Sequence, residues 1–464
     1  MKKSRFVLLL GLLVAAHPGW AQTLAVHNDG SASDLRCPVV ASQKVPTRRV
    51  AAPDSDDVME PPALYELAGM DASGQEEIIP RLFSTHVRHV ADRPLSIAFW
   101  GDSHLAANFF GDELVRLSGL PRGKVETTFI PATMGRPGVR LPVRKSCQGG
   151  GWSYRLAFQD KSGGANYAQG LSALSSGTAN SYLWVDFRQQ AQTPNLRSLD
   201  LVYSFQDGAH AALGVSVDDG AEQVVELDAG GQGVLRIQPD QTMSTVRLRL
   251  VEGSLNLEGF VPHYLETRPA LLLDTFAIPG ATFKGWSTAN PEYLKTRLGK
   301  TQYDVVVFEY GTNEGNVRTF DADAYRSDLR DSLSNMRRVL PDSQCILMGP
   351  ADRGVLVRHL RAGRKARQIA PAAPSAADLL RFARTHQEIG SIQRSVGSEF
   401  GCSFWSWQDA MGGPGSVYKW FYHSPRWMSP DLTHLSIPGY QMTAQLFAES
   451  IQFQNWVSMY SNVQ

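Results

Sequence analysis

Three short stretches of this chain are apolar from end to end: Ile97-Ala98-Phe99-Trp100, Leu271-Leu272-Leu273 and Val305-Val306-Val307-Phe308. A run of that length with no polar side reads as a strand covered on both faces, the situation of a parallel sheet packed between helices. Helical spacing fills the intervals. It is visible over 109–117, 291–298 and 377–396, and most plainly over 323–340, where Tyr325, Leu329, Leu333, Met336 and Val339/Leu340 share a face. Further strands are expected at 345–348 and 402–405, and one at 124–130. Strands alternating with helices predict an α/β domain with a mostly parallel sheet.

Between 137 and 264 the character changes. No convincing helix is legible, and short alternating segments recur at 182–187, 199–205, 213–217, 224–227, 234–237, 246–250 and 255–260, separated by turns such as Asp218-Asp219-Gly220. That spacing predicts a β-sandwich. The expected organisation is an α/β domain in two pieces, 61–136 and 266–464, with an all-β module, 137–265, inserted between them. Helical spacing over 61–90 (Leu64, Leu67, Ile78, Ile79, Leu82, Phe83) would pack on the first piece. Residues 22–60 are polar and aperiodic, a poorly ordered leader with Cys37 as a point of attachment.

The first 21 residues have a basic start (Lys2, Lys3, Arg5), an apolar stretch from Phe6 to Ala16 and small residues ending at Ala21. They read as a secretory signal peptide, which places the mature chain in the periplasm or outside the cell. No later stretch is long and apolar enough to span a membrane. The 45 basic and 45 acidic side chains cancel, which argues against nucleic acid as a partner. The four cysteines, Cys37, Cys147, Cys345 and Cys402, admit three pairings; the predicted adjacency of two strands favours Cys345 with Cys402. No spacing resembles a metal site, no nucleotide loop is visible, and no cofactor is expected.

Chemistry-bearing residues gather where the strands end. Ser103 follows the first apolar run in Gly101-Asp102-Ser103-His104. Gly280 follows the second, and Gly311-Thr312-Asn313-Glu314 the third. Asp431-Leu432-Thr433-His434 precedes a helical pattern over 440–447. A serine at the carboxyl end of a strand and beside a helix start sits where open α/β sheets bind ligands. A hydroxyl, an Asp/His pair, an amide and a glycine are the parts of a serine esterase. Gly-Asp-Ser alone is a weak signal, since many turns contain it, and Asp431 could equally cap the last helix. Trp405, Trp407, Tyr418, Trp420, Tyr422 and Trp427 cluster just before Asp431 and could face a sugar or fill a core. Arg426 could meet a carboxylate or solvent. In the β-module, Trp152, Tyr154, Tyr167 and Trp184 are the aromatic candidates for glycan contact.

Taken together, Gly101-Asp102-Ser103, Gly280, Gly311-Thr312-Asn313 and Asp431-x-x-His434 resemble the four signature blocks of the SGNH (GDSL-type) hydrolases, in family order. The resemblance implies a flavodoxin-like three-layer α/β/α sandwich. It implies Ser103 as nucleophile, His434 as general base and Asp431 as its orienting partner. It also implies an oxyanion hole made of the Ser103 and Gly280 N–H groups and the Asn313 amide. His104 stands where the family usually has leucine, and is expected to line the pocket with Tyr422, Arg426 and Trp427. The signal peptide, Gly-Asp-Ser-His, the β-module between the first two blocks, Gly-Thr-Asn-Glu and Met411-Gly412-Gly413 are together similar to bacterial peptidoglycan O-acetylesterases. In those enzymes the inserted module is like a carbohydrate-binding jelly roll. The implied substrate is the muramoyl 6-O-acetyl group of peptidoglycan, acted on by a monomer without metal. An O-acetyltransferase with the same three residues, or an esterase or lipase for another acyl group, stays open beside it.

Overall fold

The computed structural model describes residues 22–28, 32–38, 93–188, 196–205, 208–227, 230–265, 268–356 and 375–461. The expected signal peptide, the helical spacing over 61–90 and the basic run 358–367 lie outside them.

The α/β part is built on six parallel strands: β1 (Leu95–Gly101), β2 (Val125–Glu126), β3 (Leu271–Ala277), β4 (Val305–Glu309), β5 (Gln344–Met348) and β6 (Cys402–Trp405). They lie in the order β6-β5-β4-β1-β3-β2. The apolar runs behave as two-faced strands. Ile97, Phe99, Val305 and Val307 pack with Phe110 and Leu114 of helix α1 (Phe109–Leu117) and with Ala444 and Phe447 of helix α4 (Ile437–Ser450). Their neighbours Ala98, Trp100, Val306 and Phe308 point the other way. They meet Leu329, Leu333 and Met336 of helix α2 (Ala322–Val339) and Ile389 and Val396 of helix α3 (Arg381–Glu399). The period of two thus feeds two cores, and the result is the expected three-layer α/β/α sandwich. With the two-residue edge strand β2 set aside, β1 and β4 are neighbours on either side of the point where the strand order reverses, the usual ligand position in such sheets.

Trp100 anchors the second core. It is fully buried, its ring lies 5.0 to 5.9 Å from those of Phe276, Trp286, Phe308 and Tyr303, and its Nε1–H donates to the Gln169 carbonyl at 2.7 Å. Trp100→Ala removes this packing and strands the Gln169 carbonyl. Denaturant unfolding is expected to show a loss of about 3–5 kcal/mol.

Residues 130–265 lie in chain order between β1 and β3 and form two antiparallel sheets around a separate apolar core that includes Leu183, Leu201, Tyr203, Leu248 and Phe260. The strands expected from alternation lie within Tyr182–Asp186, Leu196–Ser204, Ala211–Val217, Gln223–Glu226, Gln232–Pro239, Thr245–Gly253 and Leu255–Tyr264, give or take an end residue. Three more, Lys145–Gly149, Ser153–Leu156 and Ser172–Ser176, have polar or small sequences with little alternation.

Two expectations need correction. The strand expected over 124–130 splits. Val125–Glu126 pairs with β3, while Ile130–Pro131 pairs with Phe260 and Gly259 of the sandwich. The described start of the chain is not a loose leader: Gln22–Val26 is a strand, paired in parallel with Gln232–Pro239, and Cys37 is bonded to Cys147. Cys345 and Cys402 lie opposite each other on β5 and β6 and form the second disulfide. Among the described residues no helix is long and apolar enough to cross a membrane.

Candidate active site

Gly101 ends β1 because nothing larger fits. A Cβ there would come within 2.9 Å of Glu309 Oε2 and of Leu105 Cδ1. The chain then turns at Asp102, whose carboxylate accepts the His104 N–H at 2.9 Å, and Ser103 opens a short helix, Ser103–Ala106. Ser103 is thereby held at the carboxyl edge of the sheet, partly exposed.

The partner loop comes from the far end of the sequence. Asp431 Oδ1 accepts the N–H groups of Thr433 and His434 at 3.0 and 2.9 Å, a tight Asx turn. Leu432 takes a left-handed φ of 53° within it. The loop closes on itself through Ser429 N–H to the His434 carbonyl (2.8 Å) and Ser436 N–H to the Trp427 carbonyl (2.9 Å). Gly439 admits that Trp427 carbonyl, which would lie 1.9 Å from a Cβ. Held so, Asp431 Oδ2 is 2.7 Å from His434 Nδ1, and His434 Nε2 is 2.9 Å from Ser103 Oγ. With the ring hydrogen on Nδ1 and donated to Asp431, Nε2 is left to accept from the serine hydroxyl. Burial works against the Asp431 charge. The imidazole and the two backbone N–H groups outweigh it and hold the carboxyl at about 2. The same bond raises His434 above its ordinary value. Serine, histidine and aspartate, 331 residues apart at the widest step, form one hydrogen-bonded line.

Gly280 lies on an exposed turn after β3 with φ 88°, a conformation that side chains resist. Neither its N–H nor that of Ser103 has an acceptor among the described residues. Asn313 departs from expectation. Its Nδ2 is 2.9 Å from Asp102 Oδ2 and 2.9 Å from the Ala281 carbonyl, so both amide hydrogens are engaged. Asn313 therefore ties the residue before Ser103 to the residue after Gly280. Glu314 reinforces the tie, accepting from Phe283 N–H at 2.9 Å and Gly311 N–H at 3.0 Å.

Below these loops lies a cluster that the motifs did not reveal. Glu309, fully buried at the end of β4, accepts the Asp102 N–H at 3.1 Å, and its other oxygen has no hydrogen-bond partner among the described residues. Burial, and then the Asp102 charge, push Glu309 well above the carboxylate range. Burial raises Asp102 to about 6 and Glu314 to about 7. The available signal was a charged residue closing an otherwise apolar strand, Val305-Val306-Val307-Phe308-Glu309.

The expected substrate contacts fare unevenly. His104 is 2% exposed. It lies beneath the His434 ring (centroids 5.4 Å apart) with Nδ1 3.3 Å from the Tyr440 hydroxyl, and burial drives its pKa well down. It is a packing residue, not a pocket lining. Trp405, Trp407, Tyr418 and Trp420 are core as well: the first two pack against Phe447 and Tyr440 of α4, the Tyr418 hydroxyl donates to the Leu379 carbonyl, and Trp420 Nε1–H donates to the Met411 carbonyl. Tyr422 and Trp427 are half-buried against that core; Trp427 stacks on His423, and the exposed Arg426 rests over Phe421. In the sandwich, Tyr167 is buried and Tyr154 bonds to the Met134 carbonyl. Trp152 is partly buried, its Nε1–H donating to the Tyr182 carbonyl. Trp184 is partly exposed beside Tyr182 on one strand face.

No family model matches the sequence, and no curated protein does. Solved structures do. A structure described as a peptidoglycan O-acetylesterase in action is similar over 79% of this chain and 92% of its own, at 22% identity and a TM-score of 0.55. Family two carbohydrate esterases from Clostridium thermocellum (13% identity, 66% of this chain and 99% of that one, TM-score 0.25) and Cellvibrio japonicus (11%, 68% and 99%, 0.26) align too loosely to bear on the fold. The first similarity, the strand order around β1 and the four loops gathered at the carboxyl edge of the sheet agree: the chain has the SGNH-hydrolase fold.

Proposed function

We propose that this protein is a serine esterase that removes O-acetyl groups from a cell-wall glycan, peptidoglycan in particular. The observation that carries the proposal is the line Ser103 Oγ–His434 Nε2–Asp431 at 2.9 and 2.7 Å. In the proposed reaction Ser103 Oγ attacks the acetyl carbonyl as its proton passes to His434 Nε2, with Asp431 stabilising the imidazolium. The oxyanion is met by the N–H groups of Ser103 and Gly280, each such donor contributing roughly 3–4 kcal/mol. Asn313 holds these two donors in register, and adds a third by sharing the hydrogen it gives the Ala281 carbonyl. The ester C–O bond breaks, and His434 protonates the departing sugar oxygen, which leaves as the free hydroxyl. Water then attacks the acetyl-serine, giving one proton to His434; the Ser103 Oγ–acyl bond breaks, His434 returns that proton to Oγ, and the acid leaves as acetate with its remaining proton lost to solvent.

The choice of glycan is supported by the similarity to the peptidoglycan O-acetylesterase structure and by the openness of the site. The His434 and Asp431 side chains are 40% and 52% exposed, which suits a polymer laid across the sheet edge better than a small molecule in a closed cavity. Two disulfides favour an oxidising compartment, in keeping with an exported enzyme. The test is acetate release from O-acetylated peptidoglycan beside acetylated xylan. Release from peptidoglycan at a clearly higher kcat/KM supports the reading; release from xylan alone retains the esterase and discards the cell wall.

A further inference from the structure

Between the two loops that carry Asn313 and Asp431 stands an arginine that the esterase reaction above does not use. Arg353 follows β5. Its neighbour Gly354 donates its N–H to the Leu432 carbonyl at 2.9 Å, one residue from Asp431. Its own Nη1 donates to Asn316 Oδ1 at 3.0 Å, and Asn316 N–H in turn bonds to the Asn313 carbonyl at 3.2 Å. Arg353 and Gly354 together therefore link the two loops, the guanidinium on the Asn316 side and the Gly354 N–H on the Leu432 side. The guanidinium is close enough to feel the charge of Asp431 and to oppose protonation of His434.

Three features make this more than a structural strut. The backbone under Arg353 is fixed: buried Asp352 accepts from Val417 N–H at 2.9 Å and from Gln408 Nε2 at 2.8 Å. The Arg353 guanidinium carbon lies over the Phe382 ring, 4.0 Å from its centroid, and that of Arg381 approaches the same ring at 4.5 Å. Two cations thus meet one aromatic ring, and one of them, Arg353, lies within electrostatic reach of Asp431 and His434. Finally, Arg353 makes no ion pair among the described residues, and its buried Nε has no hydrogen-bond partner. A half-buried guanidinium with most of its donors unspent is an expensive arrangement for stability alone, and stacking pre-organises its planar fork for a carboxylate.

We infer that Arg353, supported by Arg381 and Phe382, is a specificity-determining residue that binds a carboxylate carried by the acylated sugar, so that the preferred substrates are O-acetyl esters of acidic glycans. This inference rests on the esterase reading and names a substrate class within it. A neutral polysaccharide ester would leave the guanidinium unpaired, and would bind less tightly for that reason.

The experiment compares wild type, Arg353→Gln and Arg353→Lys on three substrates: 4-nitrophenyl acetate, acetylated xylo-oligosaccharides and soluble O-acetylated peptidoglycan fragments with free carboxylates. The expected result is a KM for the anionic fragments raised about 10- to 100-fold in Arg353→Gln, a rise at least tenfold larger than on either neutral substrate. Arg353→Lys should recover part of it, since charge remains but the fork is lost. Added salt should weaken the wild type on the anionic fragments and bring it closer to Arg353→Gln. Equal losses on all three substrates would overturn the inference, because they would mean that Arg353 acts through Asn316 on the loop as a whole. No change on any substrate would overturn it as well. A wild type inactive on every ester would overturn the esterase reading itself, and the role of Arg353 with it; that outcome is distinct, since it appears before any substitution is made.

Discussion

Ser103→Ala is expected to lower kcat on 4-nitrophenyl acetate and on O-acetylated peptidoglycan by roughly 10^4- to 10^6-fold, with KM and thermal stability near wild type. The size of the effect follows from the geometry. Oγ is the only hydroxyl placed 2.9 Å from His434 Nε2, and no other nucleophile among the described residues stands in that position. Little else depends on it. The turn is held by Asp102 through the His104 N–H and by Glu309 through the Asp102 N–H, and the alanine keeps the backbone donor at position 103. Residual turnover above the uncatalysed rate would report the N–H groups of Ser103 and Gly280 acting on a water attack. A variant that retains more than about a tenth of wild-type kcat would show that the serine is not the nucleophile, and would turn the search to a water activated by His434. A variant that loses activity together with its fold would show that Oγ has a structural duty that the hydrogen bonds do not disclose, and Ser103→Cys would then separate the two.

What the sequence could and could not disclose divides along chain distance. The four motif blocks are local, each within four residues; three sit at the end of an apolar run whose strand character is also local, and the fourth precedes a helical pattern. That is why Ser103, Gly280, Asn313, Asp431 and His434 could be read in order. The α/β class follows from the alternation of such strands with helical spacing. Partnerships across sequence could not be read. Glu309 looks like the tail of a strand until β1 is laid beside β4 in register, which brings Gly101 opposite it. Arg353 looks like the first charge of a basic loop until Gly354 meets Leu432. Asn313 was assigned its family duty from its position in the motif, whereas its two hydrogens are set by Asp102 and Ala281, which lie 211 and 32 residues away. The aromatic cluster before Asp431 was equally beyond local pattern. Composition left a sugar platform and a core equally open; Trp405 and Trp407 pack against Phe447 and Tyr440 of α4, Tyr418 against Val355 and Leu379, and Trp420 against Met411 and Trp427, and only this packing decides it. In the sandwich, the strand Gln22–Val26 was invisible because its partner is more than 200 residues away and its own five residues carry no decisive pattern.

The second large effect concerns Asp431, and it separates two explanations of the enzyme's pH dependence. Asp431→Asn is expected to lower kcat roughly 10^4-fold. The turn itself should survive, because the asparagine oxygen can still accept from Thr433 and His434 N–H. What changes is the atom facing His434 Nδ1. A carboxylate accepts a hydrogen there; an amide NH2 donates one. The ring is then driven to carry its hydrogen on Nε2, where it can no longer take the Ser103 proton. The pH profile carries the further information. In wild type, the Asp431 carboxyl, held at about 2, stays ionised across the working range. It raises the His434 pKa above the ordinary histidine value. Because His434 must be neutral to act as base, kcat/KM should rise with pH through that raised value. Removing the charge lowers it, so the acid limb of the residual activity should move to lower pH. Two other groups could give a limb in the same region, Asp102 at about 6 and Glu314 at about 7. Neither is bonded to Asp431, and a limb that belongs to them would stay where it is when Asp431 becomes Asn. A limb that shifts down assigns the titration to His434. A limb that does not move assigns it to the buried carboxylates under the loop, and makes ionisation beneath Ser103, rather than at the imidazole, the event that switches the enzyme on.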